Sequence, residues 1–219
     1  MESTLQTLLG NHAVAVCCST VDGDPTMLTP GEYAAVSRAV AHRQKEFAAG
    51  RSAAREAMRR LGRPAVPVPA DPDRSPRWPP GLVGSISHSR STCIAIVALR
   101  EHCRSVGVDV EPDRDLPRDL WDLICRPDEL LRVAELPEAI RARWVTRVFC
   151  AKEAYYKWVY PQIRALLDFQ DVAMDMAPTL DDTRFVARPF RQDARESTPR
   201  GLAGTITTTQ DMVVALMIH

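Results

Sequence analysis

From Glu138 to Tyr160 the chain contains neither Gly nor Pro, and Pro161 follows at once. Inside that run Ile140, Trp144, Val148 and Phe149 recur at helical spacing. The pattern predicts one long helix over 138–160, stopped by a proline whose ring and missing N–H oppose continuation. An amphipathic helix of this length needs an apolar surface to lie on.

A candidate surface is written upstream. In Ser105-Val-Gly-Val-Asp-Val-Glu111, Val106, Val108 and Val110 alternate with Gly107, Asp109 and Glu111. That is the period-2 signature of a strand with one buried face. With the valines in the core, Asp109 and Glu111 emerge together on the other face, their Cα atoms about 6–7 Å apart. Gly107 on that face leaves room for a ligand or another backbone to approach. Two adjacent carboxylates repel, so they need a metal, a shared proton or a basic partner. Hard oxygen ligands in small number suit Mg²⁺, which keeps waters and takes further oxygens from a phosphate-bearing substrate. Read alone, the segment also fits a strand whose outer face is merely polar.

Only three of the 28 basic residues are lysines, and two of them, Lys152 and Lys157, flank Glu153. Lys gives an Arg-rich chain a compact ammonium with three rotatable donors, suited to phosphate oxygens. Glu153 and Lys157 lie one turn apart on one helix face, and a solvated i,i+4 pair is the bland alternative. If the helix packs on the strand, Glu153 becomes a third carboxylate beside Asp109 and Glu111. Lys157 then sits beside whatever phosphate the metal holds. Carboxylates, metal and lysine together point to phosphoryl-group chemistry.

Hydrophobic content of 45% and charged content of 26% describe an ordinary soluble globular protein of one domain or two small lobes. The apolar stretch Ala13-Val-Ala-Val-Cys-Cys18 is too short for a membrane span or signal core. Cysteines 17, 18, 93, 103, 125 and 150 show no CxxC spacing and read as reduced thiols in a cytoplasmic protein. Net charge is zero but uneven. Arg38–Arg63 holds eight basic residues against two acidic, and Glu101–Glu138 holds eleven acidic against five basic.

The basic segment opens with the capping sequence Thr29-Pro-Gly-Glu32 and reads as helix over 30–61, with Gly50 a candidate break. Nucleic acid is the weaker partner for it, since no aromatics interleave with the arginines. Seven of the seventeen prolines fall between Arg63 and Pro80, and this stiff loop leads into Gly84-Ser-Ile-Ser-His-Ser89. That Ser-rich stretch reads as a turn presenting hydroxyls and N–H groups to an anion. Strands are expected at 13–18, 92–99, 105–110, 171–176, 184–190, 203–209 and 212–218, and a short helix near 117–124. The class is α+β.

Four blocks, in order from Arg43 to Trp158, resemble the 4′-phosphopantetheinyl transferase superfamily. Gly107-Val-Asp-Val-Glu111 and Lys152-Glu153-(three residues)-Lys157 are similar to its signature pair. Trp78-Pro-Pro-Gly-Leu-Val-Gly-Ser-Ile-Ser-His88-Ser and Phe47-Ala-Ala-Gly-Arg51-Ser-Ala-Ala-Arg55 are similar to blocks of its surfactin-type branch, which includes the enterobactin synthase component D group. The resemblance implies two similar α+β lobes related by a pseudo-twofold, residues 1–110 and 111–219, with the active site in the cleft between them. It implies Mg²⁺-dependent transfer of 4′-phosphopantetheine from coenzyme A to a serine of an acidic apo acyl or peptidyl carrier protein, releasing adenosine 3′,5′-bisphosphate. Asp109, Glu111 and Glu153 would hold the metal. Glu153 would act as base, and Lys152 and Lys157 would neutralise phosphates, Lys157 also assisting the leaving group. Arg43, Arg51, Ser87 and His88, with Arg74 as a helper, would contact coenzyme A phosphates. No membrane span or nucleic acid is implied, and a monomer suffices.

Two other classes use related residues. A metal-dependent nuclease has paired carboxylates and a lysine, but that lysine commonly follows the second acid by one residue, where this chain has Pro112 and Asp113. A non-catalytic carrier-protein binder would keep the fold and lose the ion site, yet all three carboxylates are present.

Overall fold

Residues 1–10 and 13–219 are described by the computed structural model, and they divide into two units, Met1–Val106 and Gly107–His219. Each unit joins one sheet to one long helix, so the α+β expectation holds.

The first unit runs α1 (Glu2–Leu9), β1 (Val14–Thr20), α2 (Pro30–Tyr33), α3 (Ala41–Arg60), β2 (Leu82–Ser89) and β3 (Thr92–Leu99). The strands pair antiparallel in the order β1-β3-β2. Ala53, Ala54, Ala57 and Met58 of α3 pack on Cys17, Ala95 and Val97 of the sheet. Small residues let the helix come close: a Cβ on Gly50 would stand 2.9 Å from the Ile86 side chain. The expected single helix over 30–61 is therefore broken elsewhere. It lapses between Tyr33 and Ala41, while Gly50 lies inside an unbroken α3, serving close approach. Thr29 and Glu32 do form the expected capping box.

The Ser-rich stretch expected as a turn is strand β2. Its N–H and C=O groups are committed to a ladder that pairs Gly84 with Val97 and Ser89 with Thr92, and the reversal comes after it, where Arg90 adopts φ 51°. Alternating burial of Val83, Ser85 and Ser87 supplies the strand pattern that serine content masked.

The second unit takes β4 (Val106–Pro112) from Gly107 onward, then α4 (Trp121–Ile124), α5 (Pro127–Glu135), α6 (Glu138–Ile163), β5 (Val172–Met176), β6 (Thr183–Pro189), α7 (Gln192–Ser197), β7 (Ala203–Thr209) and β8 (Met212–Ile218). Its sheet has the order β4-β8-β7-β6-β5. A division after residue 110 would have left the Asp109 strand in the first lobe. Hydrogen bonding to β8 places that strand in the second sheet instead.

Trp144, Val148, Ala151, Tyr155 and Trp158 of α6 share one core with Phe185, Ile206, Val213, Ala215 and Met217 of the sheet. The helix does not stop at Pro161. It continues to Ile163 and closes on Arg164, whose left-handed backbone (φ 50°) sends its N–H to the Tyr160 carbonyl at 2.8 Å. In the last turn the proline removes a single intrahelical bond, which the buried face at Trp158 and Val159 outweighs. No helix among the described residues is long and apolar enough to cross a membrane.

Candidate active site

The site is built on the contact between β4 and α6. A Cβ on Gly107 would stand 2.0 Å from the Ala154 carbonyl oxygen and 2.9 Å from the Trp158 nitrogen. The missing side chain thus lets strand and helix backbones touch. Val106, Val108 and Val110 are buried as expected, but Gly107 and Asp109 are buried too, because α6 lies across their face.

Two residues along that face from Gly107, Asp109 is 3% exposed and accepts a 2.7 Å hydrogen bond from Lys157 Nζ. Burial alone would push the Lys157 ammonium down; the Asp109 carboxylate and its hydrogen bond, with Glu153 adding to them, hold it above its ordinary value. Glu153, one turn earlier, is pushed up by burial and by the Asp109 charge, with Lys157 opposing. It is a carboxyl that holds a proton more tightly than usual.

Cys150 completes this face and was not anticipated. Fully buried, it donates through Sγ to the Val213 carbonyl at 3.7 Å, and burial followed by the charges of Asp109 and Glu111 drives its thiol far up. It is an inert neutral filler beside the carboxylates. Its position seven residues before Lys157, two helical turns, was the available signal.

Lys152 takes a different position from the one expected. Only 1% exposed, its Nζ donates to Glu129 Oε2 at 2.6 Å, the Ile124 carbonyl at 2.8 Å and the Phe169 carbonyl at 2.9 Å. All three protons are spent inside the protein, so phosphate neutralisation by Lys152 is corrected to a structural role. Helical geometry carried the warning: Lys152 and Lys157 are about 140° apart around the axis, while Glu153 and Lys157 are about 40° apart. The partner, buried Glu129 on α5, also accepts from the N–H groups of Arg126 at 2.8 Å and Met174 at 2.7 Å.

In the first unit α3 and β2 bring Arg43 and His88 together. Arg43 Nη1 stands 2.6 Å from His88 Nε2 and 3.1 Å from Glu46 Oε2. Arginine has no acceptor, so His88 Nε2 accepts and its proton sits on Nδ1, 3.5 Å from Glu46 Oε1. Burial would raise the Glu46 carboxyl, but the hydrogen bond from Arg43 and its charge hold it below its ordinary value.

The other expected contacts are dispersed. Ser87 is buried and, as the strand neighbour of His88, points to the opposite face of β2. Arg51 is only 5% exposed; its Nε donates to the Val68 carbonyl at 2.7 Å and its guanidinium lies 3.9 Å over the Phe47 ring. Burial lowers its pKa to about 10. It pins the proline-rich segment to α3. Arg74 is exposed on a turn, with φ 70° and its N–H on the Asp71 carbonyl.

Hard oxygen donors are present at Asp109, Glu111 and Glu153, although among the described residues no three His, Cys, Asp or Glu side chains are gathered tightly enough to hold a metal unaided. All six cysteines are free thiols.

Residues 31–98 match the family model described as the 4′-phosphopantetheinyl transferase N-terminal domain, and residues 105–207 match that of the 4′-phosphopantetheinyl transferase superfamily. The chain is 38% identical over 171 residues to the 4′-phosphopantetheinyl transferase PptT of Mycobacterium tuberculosis, covering 75% of this chain and 74% of that one. It is 36% identical to the 4′-phosphopantetheinyl transferase Svp of Streptomyces mobaraensis, covering 76% and 68%. With enterobactin synthase component D of Escherichia coli K12 the identity is 35%, covering 64% and 67%.

Proposed function

Since the chain belongs to the 4′-phosphopantetheinyl transferase superfamily, we propose that it moves 4′-phosphopantetheine from coenzyme A to a serine of an acidic acyl or peptidyl carrier protein, with Mg²⁺, and releases adenosine 3′,5′-bisphosphate. One observation carries the reading: Lys157 is held against buried Asp109 at 2.7 Å, with the proton affinity of Glu153 raised beside them.

The oxygens of Asp109, Glu111 and Glu153 suit Mg²⁺, which needs only one or two carboxylates when diphosphate and water complete its shell. Bound there, the ion supplies charge neutralisation at the diphosphate. Glu153, directly or through a water, takes the proton of the attacking serine hydroxyl as its oxygen bonds to the phosphorus bearing the pantetheine arm. The bond from that phosphorus to the bridging oxygen breaks, and the electron pair leaves with the adenosine bisphosphate. Lys157, kept charged by Asp109, offsets the charge gathering on that leaving group. Arg43, with His88 beside it, is an exposed cation on α3 suited to a terminal phosphate of coenzyme A. The reading includes a monomer working in the cytoplasm.

Mass spectrometry of an apo carrier protein incubated with coenzyme A and Mg²⁺ tests this. A gain equal to one phosphopantetheine arm supports transfer; an unmodified carrier across several acyl and peptidyl carrier proteins refutes it.

A further inference from the structure

The second unit contains a groove that the transfer chemistry does not use. It encloses about 580 Å³ between β6 and α7, and its walls include Arg188, Arg195, Arg200, Glu196, Pro189 and Pro199. Tyr155 OH meets Thr198 Oγ1, at the groove wall, at 2.8 Å. Tyr155 lies about 200° around α6 from both Glu153 and Lys157, so the groove is on the far side of that helix from the Asp109–Lys157 pair.

We propose that this groove binds a phosphate-bearing small molecule through Arg188, Arg195 and Arg200. Three arginines line it against one acid, Glu196, which is engaged by Gln192 Nε2 at 2.9 Å. Among the described residues neither Arg195 nor Arg200 has an acidic partner. Arg188 has only a loose 3.5 Å contact with Asp128, in which both side chains are nearly half exposed, so an incoming anion displaces little. Guanidinium forks match tetrahedral oxyanions bidentately. The volume falls in the range of small-molecule sites, about 300–1,000 Å³, and Val186, Ala187 and the two prolines offer apolar wall to an organic body. A protein partner is the poorer occupant, because the lining has no aromatic or large aliphatic anchor of the kind that dominates such interfaces.

The test is amide-shift mapping by ¹⁵N NMR, with inorganic pyrophosphate as probe and no added metal. Saturable shifts should appear at Arg188 and across 195–201 in the wild type, and equally in Lys157→Ala, which weakens phosphate binding at the catalytic face. In Arg195→Ala/Arg200→Ala the same shifts should need on the order of tenfold more pyrophosphate or vanish, two charge-assisted contacts being lost. Arg188→Glu provides a second variant with the same expected weakening. Shifts confined to the catalytic face overturn the proposal, as does a non-saturating response in the groove. So does a groove that answers to apo carrier protein and not to pyrophosphate.

Discussion

Lys157 Nζ reaches from α6 to Asp109 Oδ1 on β4 at 2.7 Å, joining residues 48 apart in the chain. The pair is where the two signature segments meet, and it fixes a positive charge beside Glu153 before any substrate arrives. Lys157→Ala should slow single-turnover transfer at saturating coenzyme A by about 100- to 1,000-fold, the usual loss for one preorganised electrostatic donor. Lys157→Arg should rescue little of it, because a planar fork cannot take the ammonium's place between Asp109 and a phosphate. Near-normal rates in both variants would reduce Lys157 to a structural partner of Asp109.

Glu153 makes a stability prediction with a definite sign. Its native carboxyl binds a proton more tightly than the same group in the unfolded chain. The associated stability is complete below the ordinary carboxyl pKa and is lost as pH rises through the raised native value. Glu153→Gln should therefore stabilise the metal-free protein at neutral pH, flatten that part of the pH profile, and abolish transfer. Denaturant melts from pH 4 upward would measure it. A variant less stable than wild type at neutral pH would contradict the strained-carboxylate account.

Lys152 belongs to a buried knot. Removing one partner of a buried pair leaves the other charge uncompensated and costs about 3–5 kcal/mol, whereas removing both is far milder. Lys152→Met should be strongly destabilising, and Lys152→Met/Glu129→Gln should regain part of the loss. The KM for coenzyme A of the folded fraction should stay put. A selective rise in that KM without loss of stability would restore Lys152 to the phosphate site.

Local periodicity accounts for what was legible beforehand. Strands 92–99, 203–209 and 212–218 were read to their ends, because alternating or uniformly apolar runs bounded by turns leave one reading. The packing of α6 on β4 was legible because Gly107 and the Gly- and Pro-free helix are written in the sequence, but the direct bond from Lys157 to Asp109 was not, since Lys157 reads there only as a partner for phosphate. Lys152 was misread because its partner Glu129 sits 23 residues away on α5, a helix that periodicity had not revealed. β2 reads as a turn in the sequence because serines on the buried face of a strand look like turn residues until the opposing strand supplies their ladder.

Arg43 and Arg51, eight residues apart on α3, should separate cleanly. Arg43 is nearly half exposed beside His88, and Arg51 is buried under Val68 and Phe47. Arg43→Ala should raise the KM for coenzyme A about tenfold or more, as loss of a charge-assisted phosphate contact does, with little change for the 3′-dephospho analogue and little in Tm. Arg51→Ala should instead lower stability by roughly 1–3 kcal/mol, leaving the Val68 carbonyl without its donor. Steady-state kinetics with both donors, alongside thermal melts, would show whether the two effects fall on the residues this way round.

Gly107 is the point at which fold and chemistry are the same constraint. A methyl group there would overlap the Ala154 carbonyl at 2.0 Å, and the obstacle is helix backbone that cannot rotate away. Gly107→Ala must push α6 off β4, which costs about 1–3 kcal/mol in a packed interior and often more. The same displacement lengthens the Lys157–Asp109 bond, because both residues sit within one turn or two strand positions of the contact. Transfer should therefore fall at temperatures where the variant is still folded, and the Lys157 ammonium should titrate at lower pH than in the wild type once Asp109 no longer holds it up. ¹⁵N NMR of the lysine side chain would read that shift directly. A folded Gly107→Ala protein with an unchanged Lys157 titration would mean that the close approach at Gly107 serves packing alone.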